Sequence, residues 1–162
     1  MKFLDIATKI KDILIANTQI MQELNSADSI FIFTNEAPVE PFRYPLIFIH
    51  MPETIENNVR GAGAGQDLFI LKWFFEIGIY IHVDIEQQII DFSGLNYLIR
   101  LVFNTIYNSF IFDENEAIGT ALFDIEMVGF KPDRETLKPL IGGVLQFYIK
   151  EAYNTNEIVT KS

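Results

Sequence analysis

Apolar side chains at Phe3, Ile6, Ala7, Ile10, Ile13, Leu14, Ile20, Met21 and Leu24 recur every three or four residues, with Lys2, Asp5, Lys9, Lys11 and Asp12 between them. That is the period of a helix burying one face, and it predicts one amphipathic helix from Met1 to the Asn25-Ser26 pair. Ser29 to Phe33 is a short β-branched and aromatic run that reads as a strand. Pro38, Pro41 and Pro45 then exclude regular structure over Thr34 to Pro45. Leu46 to Met51 reads as a second strand, closed by Pro52. Glu53 to Gln66 is polar and carries Gly61-Ala62-Gly63-Ala64-Gly65, so a loop with high backbone freedom is expected there.

From Phe69 to Val83 the alternation is nearly unbroken. Phe69, Leu71, Trp73, Phe75, Ile77, Ile79, Ile81 and Val83 share one face; Lys72, Glu76, Gly78, Tyr80, His82 and Asp84 share the other, with Phe74 the apolar exception. A strand of this length exceeds the usual five or six residues, so it is expected to bend, at Gly78 for instance, or to extend beyond the sheet as an arm. Asp84 with Gln87 three residues on is a capping-box pattern. It opens a second helical repeat, Ile85, Ile89, Phe92, Leu95, Leu98, Ile99, Val102, Phe103 and Ile106, expected to end near Asn108. Gly94 interrupts it and suggests close packing. Two further alternating runs follow, around Ala121 to Val128 and Leu145 to Lys150, separated by a polar loop over Lys131 to Lys138 and by Gly142-Gly143. The expected fold is α+β: a mostly antiparallel sheet of four or five strands with two helices on one face, in the order α-β-β-β-α-β-β. Residues 1–153 read as one domain, and Asn154 to Ser162 as a frayed polar tail.

Composition narrows the function. The chain has no cysteine, which removes thiolate nucleophiles and thiolate metal sites and suits a reducing compartment. Met1 to Asn17 has lysines among its apolar residues and no unbroken apolar core of a signal peptide. The longest uncharged run, Leu101 to Phe112, is too short and too rich in Asn and Ser to span a bilayer. Fifteen phenylalanines are more than one core of this size needs, which points to apolar surface that another subunit covers. The net charge of −10 is uneven: Arg100 is the only cation between Trp73 and Phe130, against nine acids. Binding of nucleic acid through phosphates needs clustered lysine and arginine. A surface past which DNA slides without sticking has this composition instead.

Catalytic constellations are weak. Gly61, Gly63 and Gly65 do not satisfy a phosphate-loop spacing, and no Lys-Ser or Lys-Thr follows them. There is no GxSxG motif. Asp124 and Glu126 alternate with apolar residues as the solvated side of a strand does. His82-x-Asp84-x-Glu86, with His50 and Glu53, is the one set from which a small metal enzyme would be built. The plainer assignment makes His82 a strand-face residue, Asp84 a helix cap and His50 the end of a strand. No catalytic residue, cofactor or metal is assigned.

The order of these elements resembles the tail terminator (tail completion, head–tail joining) proteins of long-tailed bacteriophages. The likeness is carried by the opening helix and the proline-bounded strand Tyr44-Pro45-Leu46-Ile47-Phe48-Ile49. It continues through the glycine-bearing loop, the long strand Phe69 to Asp84, the helix after it and the closing strands from Phe123 to Tyr153. The resemblance implies a structural virion protein, located in the tail or neck and in the host cytoplasm during assembly. It implies a hexameric ring that caps the tail tube, stops its polymerisation and receives the head. Its partners would be further copies of the chain, the tail-tube protein and a head-side connector or neck protein, with DNA passing through the lumen. A different neck, head-completion or tube ring subunit is the related alternative. From the residues themselves, the mobile and basic loop positions Arg60, Gly61, Gly63, Gly65, Lys131, Arg134 and Lys138 are the candidates for contact with neighbouring subunits.

Overall fold

The long alternating run forms a strand of the expected length and facing. In the computed structural model, which describes residues 3–24, 26–33, 45–50, 53–57, 68–82, 93–112, 122–133 and 140–154, it is β4, Leu68–His82. It does not leave the sheet as an arm. All fifteen residues pair antiparallel with β6, Leu140–Asn154, from Leu68↔Asn154 to His82↔Leu140. The closing strand is longer than its hydrophobic alternation suggests because Gly142 and Gly143 lie inside the ladder, opposite Tyr80 and Ile79. β5, Leu122–Pro132, pairs antiparallel with the far edge of β6.

The other edge of β4 is shared. β2, Leu46–His50, pairs with Ile77 to Tyr80, and β3, Glu53–Asn57, pairs with Ile70 to Phe74, both antiparallel. β3 corrects the expectation of a loop over Glu53 to Gln66. Its five residues are polar, but β2 leaves the N-terminal half of β4 with unpaired backbone groups, and satisfying them outweighs local propensity. β1, Ile30–Phe33, runs parallel to β2. Among the described residues the sheet is therefore mixed and six-stranded, ordered β1-β2-β4-β6-β5 with β3 also on β4. That differs from the mostly antiparallel four or five strands read from the sequence. In the parallel pair Ile30 and Ile32 of β1 stand beside Ile47 and Ile49 of β2, on one side of the sheet.

The opening helix is two helices, α1 (Phe3–Ala16) and α2 (Thr18–Leu24). Asn17 makes the break: its Oδ1 accepts from the backbone N–H groups of Gln19 (3.0 Å) and Ile20 (3.1 Å), capping α2. Its Nδ2 donates to Thr105 Oγ1 at 2.9 Å, tying the break to α3, Ser93–Phe112. A single 3-10 turn, Ala27–Ser29, then leads into β1. α3 runs four residues past its expected end, and the Asp84 capping box lies outside the described residues. The element order is thus α-α-β-β-β-β-α-β-β. No helix among the described residues is long and apolar enough to cross a membrane.

The core lies between the helices and one face of the sheet. Ile6, Ile10, Leu14, Ile20 and Leu24 of the first two helices meet Leu98, Val102 and Ile106 of α3 over Phe75, Ile77, Ile79, Leu145, Phe147 and Ile149. Phe75 and Phe147 are directly opposite and stack at 5.5 Å. Burying each such side chain stabilises the fold by about 1.5–3 kcal/mol.

Two glycines test this packing in opposite directions. A Cβ on Gly142 would collide with the carbonyl oxygen of Ile79 and the ring of Tyr80, whereas one on Gly94 meets nothing, so close packing is not the reason for Gly94. Gly142→Ala should lose about 1–3 kcal/mol from overpacking. Gly94→Ala should gain about 0.5 kcal/mol from helix propensity. Urea unfolding midpoints measure both, and a neutral Gly142→Ala would contradict the described packing.

Candidate functional site

The sheet face turned away from the helices carries the side chains that the core does not use. In β1 and β2 isoleucines point to the core, and Phe31 and Phe48 fall on the opposite side. Phe31 stacks near Phe48 at 6.0 Å, Phe48 stacks on Tyr80 at 5.5 Å, and His50 meets the edge of Phe48 at 5.1 Å. The row is possible because Phe48 lies over Gly78, where any Cβ would enter its ring. Tyr80 continues the row over Gly142, and its hydroxyl donates to Asp133 Oδ2 at 3.0 Å. Asp133 is held in turn by its own N–H, which donates to the Gly142 carbonyl at 3.0 Å.

Further along β4 the same face becomes charged. Phe74 and Tyr148 are a directly opposed pair with ring centroids 5.2 Å apart. Next to them Lys72 and Lys150 are also opposed, a like-charge pair that destabilises a ladder by itself. Two acids on β5 offset this. Lys150 lies 3.0 Å from Asp124 and 3.4 Å from Glu126, and Lys72 lies 3.4 Å from Glu126. Lys72 also sits 5.5 Å over the Tyr148 ring. The hydrogen bond from Lys150 to Asp124 is the main influence raising that lysine's pKa, with partial burial opposing it and Glu126 adding to it. Gln146 donates to Glu76 at 3.1 Å. Such exposed pairs contribute about 0–1 kcal/mol each, so the network fixes side-chain positions more than it stabilises the fold.

This arrangement offers a binding surface. Asp124 and Glu126 are engaged with lysines, which is the geometry of a structural network. The two histidines are not brought together: one step beyond Ile49↔Ile77, His50 falls beside Glu76, and His82 is six residues further along β4. At the strand rise this is about 20 Å. No group of three or more His, Asp or Glu side chains fit to hold a metal exists among the described residues. Glu53 pairs through its backbone with Phe74, and Asp84 and Glu86 lie outside the described residues.

Of the candidate contact positions, Lys131 is exposed near the end of β5. Arg60, Gly61, Gly63, Gly65, Arg134 and Lys138 lie outside the described residues. Sequence reasoning missed the aromatic row. Its signal was present in Ile-Phe-Ile-Phe and Leu-Ile-Phe-Ile-His, where phenylalanine alternates with isoleucine, and in Phe74 on an otherwise polar face. No protein-family model matches the chain, and no curated protein matches it significantly.

Tyr80 gives this face a pH signature. Burial first, and then the hydrogen bond and negative charge of Asp133, push its pKa from 10.0 up to about 12. A phenol that holds its proton more tightly when folded contributes stability that is complete below the unfolded pKa. That contribution is lost as pH rises through the folded one. Thermal stability should therefore fall between pH 10 and 12, and Tyr80→Phe should flatten that part of the profile. Ultraviolet titration should show a tyrosine step near pH 12 that Tyr80→Phe removes; an unchanged titration in that variant would contradict the Tyr80–Asp133 contact.

Proposed function

We propose that the chain is a structural subunit of a long-tailed phage virion, a tail terminator whose copies close into a ring on the end of the tail tube. In this role it stops tube growth and presents the surface that receives the head. The observation that carries the reading is the sheet face turned away from the helices, lined by half-buried aromatic rings and by two lysines paired with two acids. A face of this kind suits contact with protein: aromatic side chains supply the desolvated anchors of interfaces, and paired charges lower the cost of covering the surface. The arrangement of charge along the chain agrees with passage of DNA, since Arg100 is the only cation between Trp73 and Phe130. A lumen lined by such a segment repels phosphate.

The ring's partners follow from this role: neighbouring copies at its sides, the tube protein on one rim and a head-side connector on the other. The test is to mix the purified chain with the tail-tube protein encoded in the same genome and image the products by negative-stain electron microscopy. Tubes of arrested length with a ring at one end are expected. Unaltered tube lengths, with no ring on any tube end, would overturn the assignment.

A further inference from the structure

The large apolar residues exposed among the described residues are Tyr97, Tyr107, Met127 and Val128, and all four belong to α3 and β5. These two elements form one lateral end of the molecule. α3 lies over β4, β6 and β5, whereas α1 lies over β1 and β2 at the opposite end of the strand order. On α3, Leu95, Leu98, Val102 and Ile106 face the core, and Thr105 on one side of that stripe bonds Asn17 at the α1–α2 junction. Helical spacing places Phe103 and Tyr107 on the other side, away from the first two helices and toward β5. Their rings lie 5.7 Å apart.

At the edge strand, Met127 stands opposite Phe147 and is 40% exposed, while Val128 occupies the register shift between Met127 and Gly129 and is 53% exposed. Gly129, at a φ of 152°, permits the bulge. A bulged edge resists strand addition, so this flank is built for contact through side chains.

Charge identifies what covers it. Arg100 and Lys131 are exposed on this flank and take part in no ion pair among the described residues. On the opposite flank Asp12 of α1, Glu23 of α2 and Asp28 of the 3-10 turn before β1 are exposed, equally without ion pairs among the described residues. Lys9 and Lys11, the cations of α1 described there, are half-buried. A two-fold contact between identical α3–β5 flanks would bring both copies of Arg100 and Lys131 into one interface and leave the acids of the opposite flank unused. A head-to-tail contact sets them against the acids.

We propose that the α3–β5 flank, with Arg100, Tyr107 and Val128 at its centre, docks on the α1–β1 flank of a second copy. The contact is heterologous, the kind that closes into a ring when its rotation allows. The proposal deepens the ring assignment, on which it rests, by naming the two surfaces that meet.

The absence of cysteine makes cross-linking a clean test. Tyr107→Cys and Asp28→Cys variants, each checked for wild-type melting, are joined by a short bis-maleimide alone and as a mixture, with and without tube protein. A covalent dimer is expected in the mixture and not in either variant alone. Adding Arg100→Glu to the Tyr107→Cys chain should cut its yield about tenfold, as loss of an interfacial hot spot does. Without tube protein, adding Asp28→Lys to a Tyr107→Cys chain that cross-links to an Asp12→Cys partner should leave the yield unchanged, since that chain contributes only its α3–β5 flank to the cross-linked contact. Dimers of Tyr107→Cys alone, or no cross-link in any mixture, would overturn the proposal. Tube arrest is scored separately. Cross-linking without arrest would sink the terminator assignment and leave the contact standing, whereas arrest by an Arg100→Glu, Tyr107→Ala chain would do the reverse.

Discussion

The fifteen-residue ladder between β4 and β6 is the constraint on which the rest of this structure hangs. It fixes which side of each strand faces the helices, because a slip of one residue would exchange Phe75, Ile77 and Ile79 for Phe74, Glu76 and Gly78. It also sets the lateral order of the molecule. β5 can join only at the free edge of β6, and β2 and β3 divide the free edge of β4 between them. Once that order is set, α1 and α3 lie over opposite ends of the sheet.

The two sides of the sheet solve different problems. The helix side is aliphatic and stacked, with Phe75 on Phe147 at its middle, and supplies the burial that holds the fold. Among the described residues the other side contains no comparable cluster and relies on local arrangements. Glycines at 78 and 142 make room for Phe48 and Tyr80, and two acids on β5 offset the opposed lysines of β4 and β6. Few of these contacts contribute much to stability, but together they hold an aromatic and charged surface in one conformation. A preorganised surface loses less entropy on binding. That is the physical link between this face and a role in assembly.

The helical layer is anchored by one polar contact of long sequence range. Asn17 caps α2 with its side-chain oxygen and reaches Thr105 with its nitrogen. Thr105 passes its own hydroxyl hydrogen to the Leu101 carbonyl at 2.7 Å. Because this contact fixes which side of α3 faces the first two helices, it also determines that Phe103 and Tyr107 are turned toward β5. The exposed position of Tyr107 on the β5 side of α3 is thus a consequence of how the helices are joined.

By itself the sequence determined the α+β class, the long strand read over Phe69 to Val83 and observed over Leu68–His82, its inward face, and the amphipathic stripes of the helices. All of these depend on periodicity within one segment, and burial of one face enforces the period whatever the neighbours are. Tertiary structure decided the rest. β3 is a strand only because β4 presents an unpaired edge to Glu53–Asn57. Gly142-Gly143, read as a lead-in, lie inside a strand because Tyr80 and Ile79 pair opposite them, and the rings of Tyr80 and Phe130 occupy the space a side chain would need. The single opening helix is broken because Asn17 finds a partner 88 residues away. The separation of His50 from His82, and the aromatic row beside one of them, follow from strand register. Register is a relation between segments, and a pattern along one segment does not contain it.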